Sequence, residues 1–280
     1  MDADFEDDFD GATLNPRWFL TRPGGGTVGA SRSVLRLAIP ASRASVYANA
    51  QIDDYDHQPR RAYRWRPPLR LAVRARASAP QHPPAPPALA NPVTIADAAI
   101  TLRGTAGFGF WNYPFAPTGA VLAPPEAVWF FYASPPSNMA LVPGVPGWGW
   151  KAQVVHARRW GALAALPPAL ATVAWARLTG HMAPAAAWVR LLSGAVEAHL
   201  APDLADWHEY VLEWRQEAAR FLVDGVVMLT VPDPPRGPLG FVAWIDNQFA
   251  VATPRGTLRF GALDTPAQWL ELAYIRATRG

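Results

Sequence analysis

The segment from Asp206 to Gly225 constrains the fold more than any other stretch of the chain. Within Trp207-His208-Glu209-Tyr210-Val211-Leu212-Glu213-Trp214, the residues Tyr210, Leu212 and Trp214 alternate with Val211 and Glu213. A period of two marks a strand with one buried face. Gln216 to Arg220 form a short polar connection, and Phe221-Leu222-Val223 open a return strand. Asp224-Gly225 then places side by side two residues that tolerate positive φ, as a tight hairpin turn requires. Val226 to Val231 continue as a further strand. Composition agrees: 30 Pro and 21 Gly in 280 residues favour many turns over long helices.

The same reading places strands at Trp18 to Thr21, Val34 to Ile39, Ser45 to Gln51, Tyr63 to Trp65 and Leu69 to Ala77. It places others at Ala98 to Arg103, Gly107 to Trp111 and Ala127 to Ala133. Residues 78–93 are rich in Pro and Ala and read as an exposed, partly extended loop inside the domain. Residues 160–200 are Ala- and Leu-rich, and Trp188, Leu191, Leu192 and Val196 fit a helical stripe. This stretch is expected to be a partly helical insertion, either a packed satellite or a lid or partner surface.

Half of the residues are hydrophobic, enough for a sizeable core, and the whole of 1–280 reads as one domain. There is no cysteine, so disulfides and thiolate metal sites drop out. All but one of the 25 basic residues are arginine, Lys151 being the exception, and the net charge is +3. No basic cluster interleaved with aromatics suits a phosphate backbone, so no nucleic-acid partner is expected. No apolar run reaches the length of a membrane span. The acidic start, Met1-Asp2-Ala3-Asp4, is not a signal peptide. The chain as written is expected in the cytoplasm, or secreted if a leader was removed.

The hairpin resembles a signature of the laminarinase/lichenase-type (family 16) glycoside hydrolases and their concanavalin A-like lectin relatives. There the matching segment reads aromatic-His-x-Tyr-x-x-Glu-Trp, followed by a strand ending in Asp-Gly. Phe5-Glu6-Asp7-Asp8-Phe9-Asp10-Gly11 with Leu14-Asn15 and Trp18 looks like the opening strand of that family. Trp269-Leu270-Glu271-Leu272-Ala273-Tyr274-Ile275-Arg276 looks like its closing strand. Gly107-Phe108-Gly109-Phe110-Trp111, then Pro124-Pro125-Glu126, fall where the family has a Gly-rich strand and then its catalytic strand. The resemblance implies an all-β, concanavalin A-like jelly-roll β-sandwich.

It also implies a chemistry that the sequence then withholds. Retaining hydrolysis needs two carboxyl groups about 5–5.5 Å apart across the glycosidic bond. The family supplies them on one strand as Glu-x-Asp-x-Glu, or with one extra bulge residue, all three acids on the concave face. The matching run is Glu126-Ala127-Val128-Trp129-Phe130-Phe131. Glu126 stands at the nucleophile position, Val128 replaces the Asp, and Phe130 or Phe131 replaces the acid/base. General-acid assistance, worth about 10²–10⁴-fold, is then missing. Glu126 would be catalytic only with another proton donor. Otherwise it orients a ligand hydroxyl or is a solvated carboxylate at a strand start.

Thirteen tryptophans suit a sugar-binding groove, where a pyranose packs its C–H face on an indole. If Glu126 faces the cleft, alternation turns Val128 and Phe130 the same way, and Trp129 and Phe131 toward the core. Trp111, Asn112, Val128, Phe130, Trp148, Trp150, Trp244 and Asn247 are the candidate ligand-binding residues. The six histidines lack metal-ligand spacing, so no metal or cofactor site is expected beyond a conceivable structural calcium at Asp8, Asp10 and Asp264. The expected function is non-hydrolytic binding of a carbohydrate. The alternatives are a divergent glycosidase using Glu126, and a binder of an apolar small molecule or a protein partner.

Overall fold

The computed structural model describes residues 4–55, 63–78, 102–112, 125–139, 142, 144–157, 194–252 and 258–279. Its strands are β1 (Phe5–Asp7), β2 (Phe19–Thr21), β3 (Thr27–Ser31), β4 (Val34–Ile39), β5 (Asn49–Asp53) and β6 (Leu69–Ala77). They continue with β7 (Thr105–Trp111), β8 (Glu126–Ala133), β9 (Asn138–Met139), β10 (Gly149–His156), β11 (Val196–His199) and β12 (His208–Trp214). Last come β13 (Ala218–Val223), β14 (Val226–Pro232), β15 (Gly240–Asp246), β16 (Gln248–Ala252), β17 (Leu258–Ala262) and β18 (Gln268–Thr278). One sheet runs β14-β13-β12-β6-β18-β4-β3, with β1 beside β18. A second runs β11-β10-β8-β7-β15-β5-β2, and β17-β16-β9 form a small third. The two large sheets are antiparallel throughout and stack as a jelly-roll sandwich.

Alternation decides what fills the space between them. In β12, Tyr210, Leu212 and Trp214 are fully buried, and in β4 Leu35, Leu37 and Ile39 point the same way. The facing sheet contributes Phe108 and Phe110 from β7, Val128 and Phe130 from β8, Trp150 from β10 and Phe241 from β15. Phe130 lies 5.2 Å from Tyr210 and 5.3 Å from Phe221, edge to face, so its ring bridges the sheets. Such pairs add to the burial of apolar area.

The Asp224-Gly225 turn forms as read, but the return strand begins earlier than expected: Ala218 to Arg220 already belong to β13, and only Arg215 to Glu217 connect it to β12. Asp224 and Gly225 have φ of 49° and 79°, and Val223 pairs with Val226 across the turn. Asp224 also accepts from the Glu209 amide and bonds His208 Nδ1, so His208 is held at the start of β12 as part of the turn.

Several expectations meet a different outcome. Tyr63 to Trp65 form only an isolated bridge, Trp65 to Leu239, and Leu102 and Arg103 lie outside any strand. Residues 79–93 and 158–193 fall outside the described residues, so the loop and most of the expected insertion do too. Val196, placed in a helical stripe, is instead in β11, where it is exposed and the next residue, Glu197, is buried. Among the described residues no helix is long and apolar enough to cross a membrane.

Candidate functional site

The register of the seven-stranded sheet fixes which side chains share its outward face, the one turned from the partner sheet. In the resembled fold this is the concave groove. One row reads Glu197, Gln153, Trp129, Gly109, Val242, Asp53 and Phe19. The next reads His199, Lys151, Phe131, Gly107, Trp244, Gln51 and Thr21. Beyond the first row lies Trp111, opposite Ala127, and beyond the second Thr105, opposite Asp246.

This row order reverses the expected orientation of β8. Val128 and Phe130 are 0% exposed in the core, and Trp129 and Phe131 face outward. The cause is the neighbouring strand. Gly107 and Gly109 leave bare backbone on the outward side of β7, so Phe108 and Phe110 fill the core, and the β7–β8 register carries that parity across. Trp150, expected in the groove, is likewise in the core against Phe108 and Tyr210. Trp148 precedes β10 and is exposed. Asn247 is fully buried, bonding the Ala48 amide and the Val46 and Leu263 carbonyls, which makes it a loop clamp. Asn112 clamps the start of β8 by accepting from the Glu126 amide.

Trp111 and Trp244 do lie on the outward face, and Trp129 and Phe131 join them. Ring centroids are 5.6 Å apart for Trp111 and Trp129, 5.6 Å for Trp129 and Phe131, and 5.3 Å for Trp129 and Trp244. Interplanar angles of 21–45° make them a tray and not a cage. The tray can lie flat because Gly107 and Gly109 are beneath it. A Cβ on Gly107 would come within 2.8 Å of the Trp244 ring, and one on Gly109, whose φ is 147°, within 2.6 Å of Trp129.

Polar groups border the tray on both sides. On one, Lys151 Nζ pairs with Glu197 Oε1 at 3.1 Å, both side chains buried. Gln153 Nε2 donates to the other Glu197 oxygen, and Gln153 Oε1 accepts from Trp129 Nε1. Burial pulls the Lys151 ammonium below its ordinary value against the attraction of Glu197. Burial and that ammonium together lower the His199 imidazole. On the other side, Gln51 Nε2 donates to Asp53, and Thr105 Oγ1 donates to Asp246. Thr105, Lys151 and Gln153 are members of this face that the sequence did not single out as site residues, and Trp129 joins it against the expectation that it faces the core. The visible signal was the lone lysine, set two residues from a glutamine on an otherwise apolar strand.

Burial pushes the Asp246 carboxyl up to about 6, against the pull of its bonds from Thr105 and Gln248. The folded state therefore holds this proton more tightly than the unfolded chain does. Stability contributed at low pH is lost as pH rises from about 4 to about 6. Asp246→Asn keeps the accepting oxygen but does not titrate. Between pH 4 and 7 the wild type is expected to lose about 2–3 kcal/mol relative to the variant in urea unfolding. Parallel profiles would contradict the assignment.

Glu126 takes the opposite parity from the tray. Its Oε1 is 3.5 Å from His156 Nε2 at the end of the sandwich, and His156 Nδ1 donates to the Asp233 carbonyl. Asp264 accepts from the Ala44 amide. Among the described residues no group of three or more His, Cys, Asp or Glu is placed to hold a metal ion.

No family model matches the sequence, and no curated protein matches it. Solved structures do. A Clostridium perfringens endo-β-galactosidase that releases GlcNAcα1-4Gal matches 98% of this chain at 12% identity and a TM-score of 0.52; this chain spans 62% of its length. A Bacillus licheniformis β-glucanase matches over the whole of both chains at 11% identity and a TM-score of 0.54. A Mycobacterium tuberculosis protein described as an immunostimulatory antigen and pseudo β-1,3-glucanase matches 99% of this chain and 98% of its own, at 11% identity and a TM-score of 0.53. The fold is thus a concanavalin A-like jelly roll of the kind seen in family 16 glycoside hydrolases.

Proposed function

We propose that this protein binds an uncharged carbohydrate on the aromatic tray and does not cleave it. One observation carries the reading. The outward positions of β8 are Ala127, Trp129, Phe131 and Ala133, where the resembled hydrolases set three acids on the matching strand. The half-buried Trp111 and Trp129 rings, with Gln51 on the same face, offer a pyranose both stacking and a hydroxyl contact. Asp53, Glu197 and Asp246 stand on this face against Lys151, and that excess of negative charge disfavours uronic or sulfated sugars. The M. tuberculosis structure of the same fold is itself described as a pseudo-glucanase.

Hydrolysis by Glu126 is the second reading, favoured by the nearby His156 imidazole. It would place the chemistry on the other face of β8, away from the tray. Val128 and Phe130, the aliphatic and phenyl side chains expected in the groove, belong to the core, which leaves an apolar ligand without them. A tryptophan-fluorescence titration tests the proposal, with β-glucan and galactan oligosaccharides, oligogalacturonate and a fatty acid as probes. Saturable change with a neutral sugar alone is expected. A response confined to oligogalacturonate or to the fatty acid would contradict it.

A further inference from the structure

Each indole of the tray donates its N–H to the protein. Trp111 Nε1 donates to Tyr55 OH, Trp129 Nε1 to Gln153 Oε1 at 2.7 Å, and Trp244 Nε1 to Thr105 Oγ1 at 2.9 Å. Behind the last two stands a buried carboxylate. Gln153 Nε2 donates to Glu197 Oε2 at 2.7 Å, and Thr105 Oγ1 donates to Asp246 Oδ1 at 2.7 Å. Direction in both relays is forced. An indole N–H only donates and an ionised carboxylate only accepts, so the amide and the hydroxyl between them have one arrangement each.

We infer that Thr105 and Gln153 are positioning residues: they lock the Trp244 and Trp129 indoles to buried carboxylates, so that the tray offers a sugar ring faces and no N–H donors. The inference rests on the carbohydrate-binding reading for its purpose, though not for its geometry. Beneath the Trp244 ring the sheet is Gly107 backbone, and both indoles pack against other rings of the tray, so a further constraint on their rotation has to act at the ring edge. The tether at the N–H edge supplies that constraint. A ring held in the bound pose spares the ordering cost that a mobile ring adds to binding. It also accounts for a buried Lys151–Glu197 pair, since such pairs are weak contributors to stability but good anchors of geometry.

The test uses Thr105→Val, which removes the hydroxyl and keeps the shape, Thr105→Ser, which keeps the hydroxyl, and Gln153→Met. Two quantities are read on the full chain: hydrogen exchange of the Trp244 and Trp129 indole N–H groups by NMR without sugar, and affinity for laminarihexaose. Thr105→Val is expected to speed Trp244 N–H exchange and weaken laminarihexaose binding about tenfold. Thr105→Ser is expected to restore both, and Gln153→Met to speed exchange at Trp129 alone. Unchanged indole exchange in Thr105→Val and Gln153→Met would overturn the relays. So would faster exchange with undiminished binding. If the wild type does not bind laminarihexaose, the carbohydrate reading fails for this sugar, and the exchange data on the free protein still decide the relays.

Discussion

Phe130→Ala is expected to destabilise the protein by about 3–5 kcal/mol, whereas Trp129→Ala, one residue away, costs well under half of that. Phe130 is fully buried between the sheets and touches rings from both, including Phe108, Tyr210 and Phe221. Its removal opens a cavity where two rigid sheets meet, and neither can collapse into it. Trp129 is half-buried on the outward face and packs on Trp111, Phe131 and Trp244. Denaturant unfolding of the two variants separates the faces of β8. Equal losses, or a larger loss for Trp129→Ala, would mean that the tray is the load on the fold and not the core.

Lys151→Met is expected to cost about 3–5 kcal/mol, because it leaves the Glu197 carboxylate buried without its counter-ion. The carboxylate keeps one donor, Gln153 Nε2, too little to offset the loss of an ammonium in a low-dielectric site. The double variant Lys151→Met/Glu197→Gln is expected to recover most of the loss, since the new amide oxygen still accepts from Gln153 and no charge remains. Thermal unfolding of wild type, single and double variants checks this. A mild single variant, or a double variant as unstable as the single, would show that the pair is better solvated than its burial implies.

The strands that frame the sandwich were legible because one of their faces meets water. Val34 to Ile39 and Leu69 to Ala77 alternate cleanly, and both strands have the expected bounds. The Asp224-Gly225 turn was legible from its backbone demand alone. The parity of β8 was not. Trp129, Phe130, Phe131 and Tyr132 put aromatic side chains on both faces, so no polar alternation reports which side is the core. The deciding signal sat one strand earlier, in Gly107-Phe108-Gly109-Phe110, where the outward positions have no side chain. β11 was hidden for a different reason: Val196-Glu197-Ala198-His199 is short and follows an Ala- and Leu-rich run whose spacing also fits a helix. The relays through Thr105 and Gln153 depend on cross-strand register, which spacing within one strand does not encode.

The most direct measurement is calorimetric titration of the wild type and Trp129→Ala with laminarihexaose, followed by chromatography of the sugar after prolonged incubation. The expected result is saturable binding by the wild type, at least about tenfold weaker binding by the variant, and an intact hexasaccharide in every sample. Shorter sugars released by the wild type, or undiminished binding by Trp129→Ala, would contradict a binding face built on the aromatic tray.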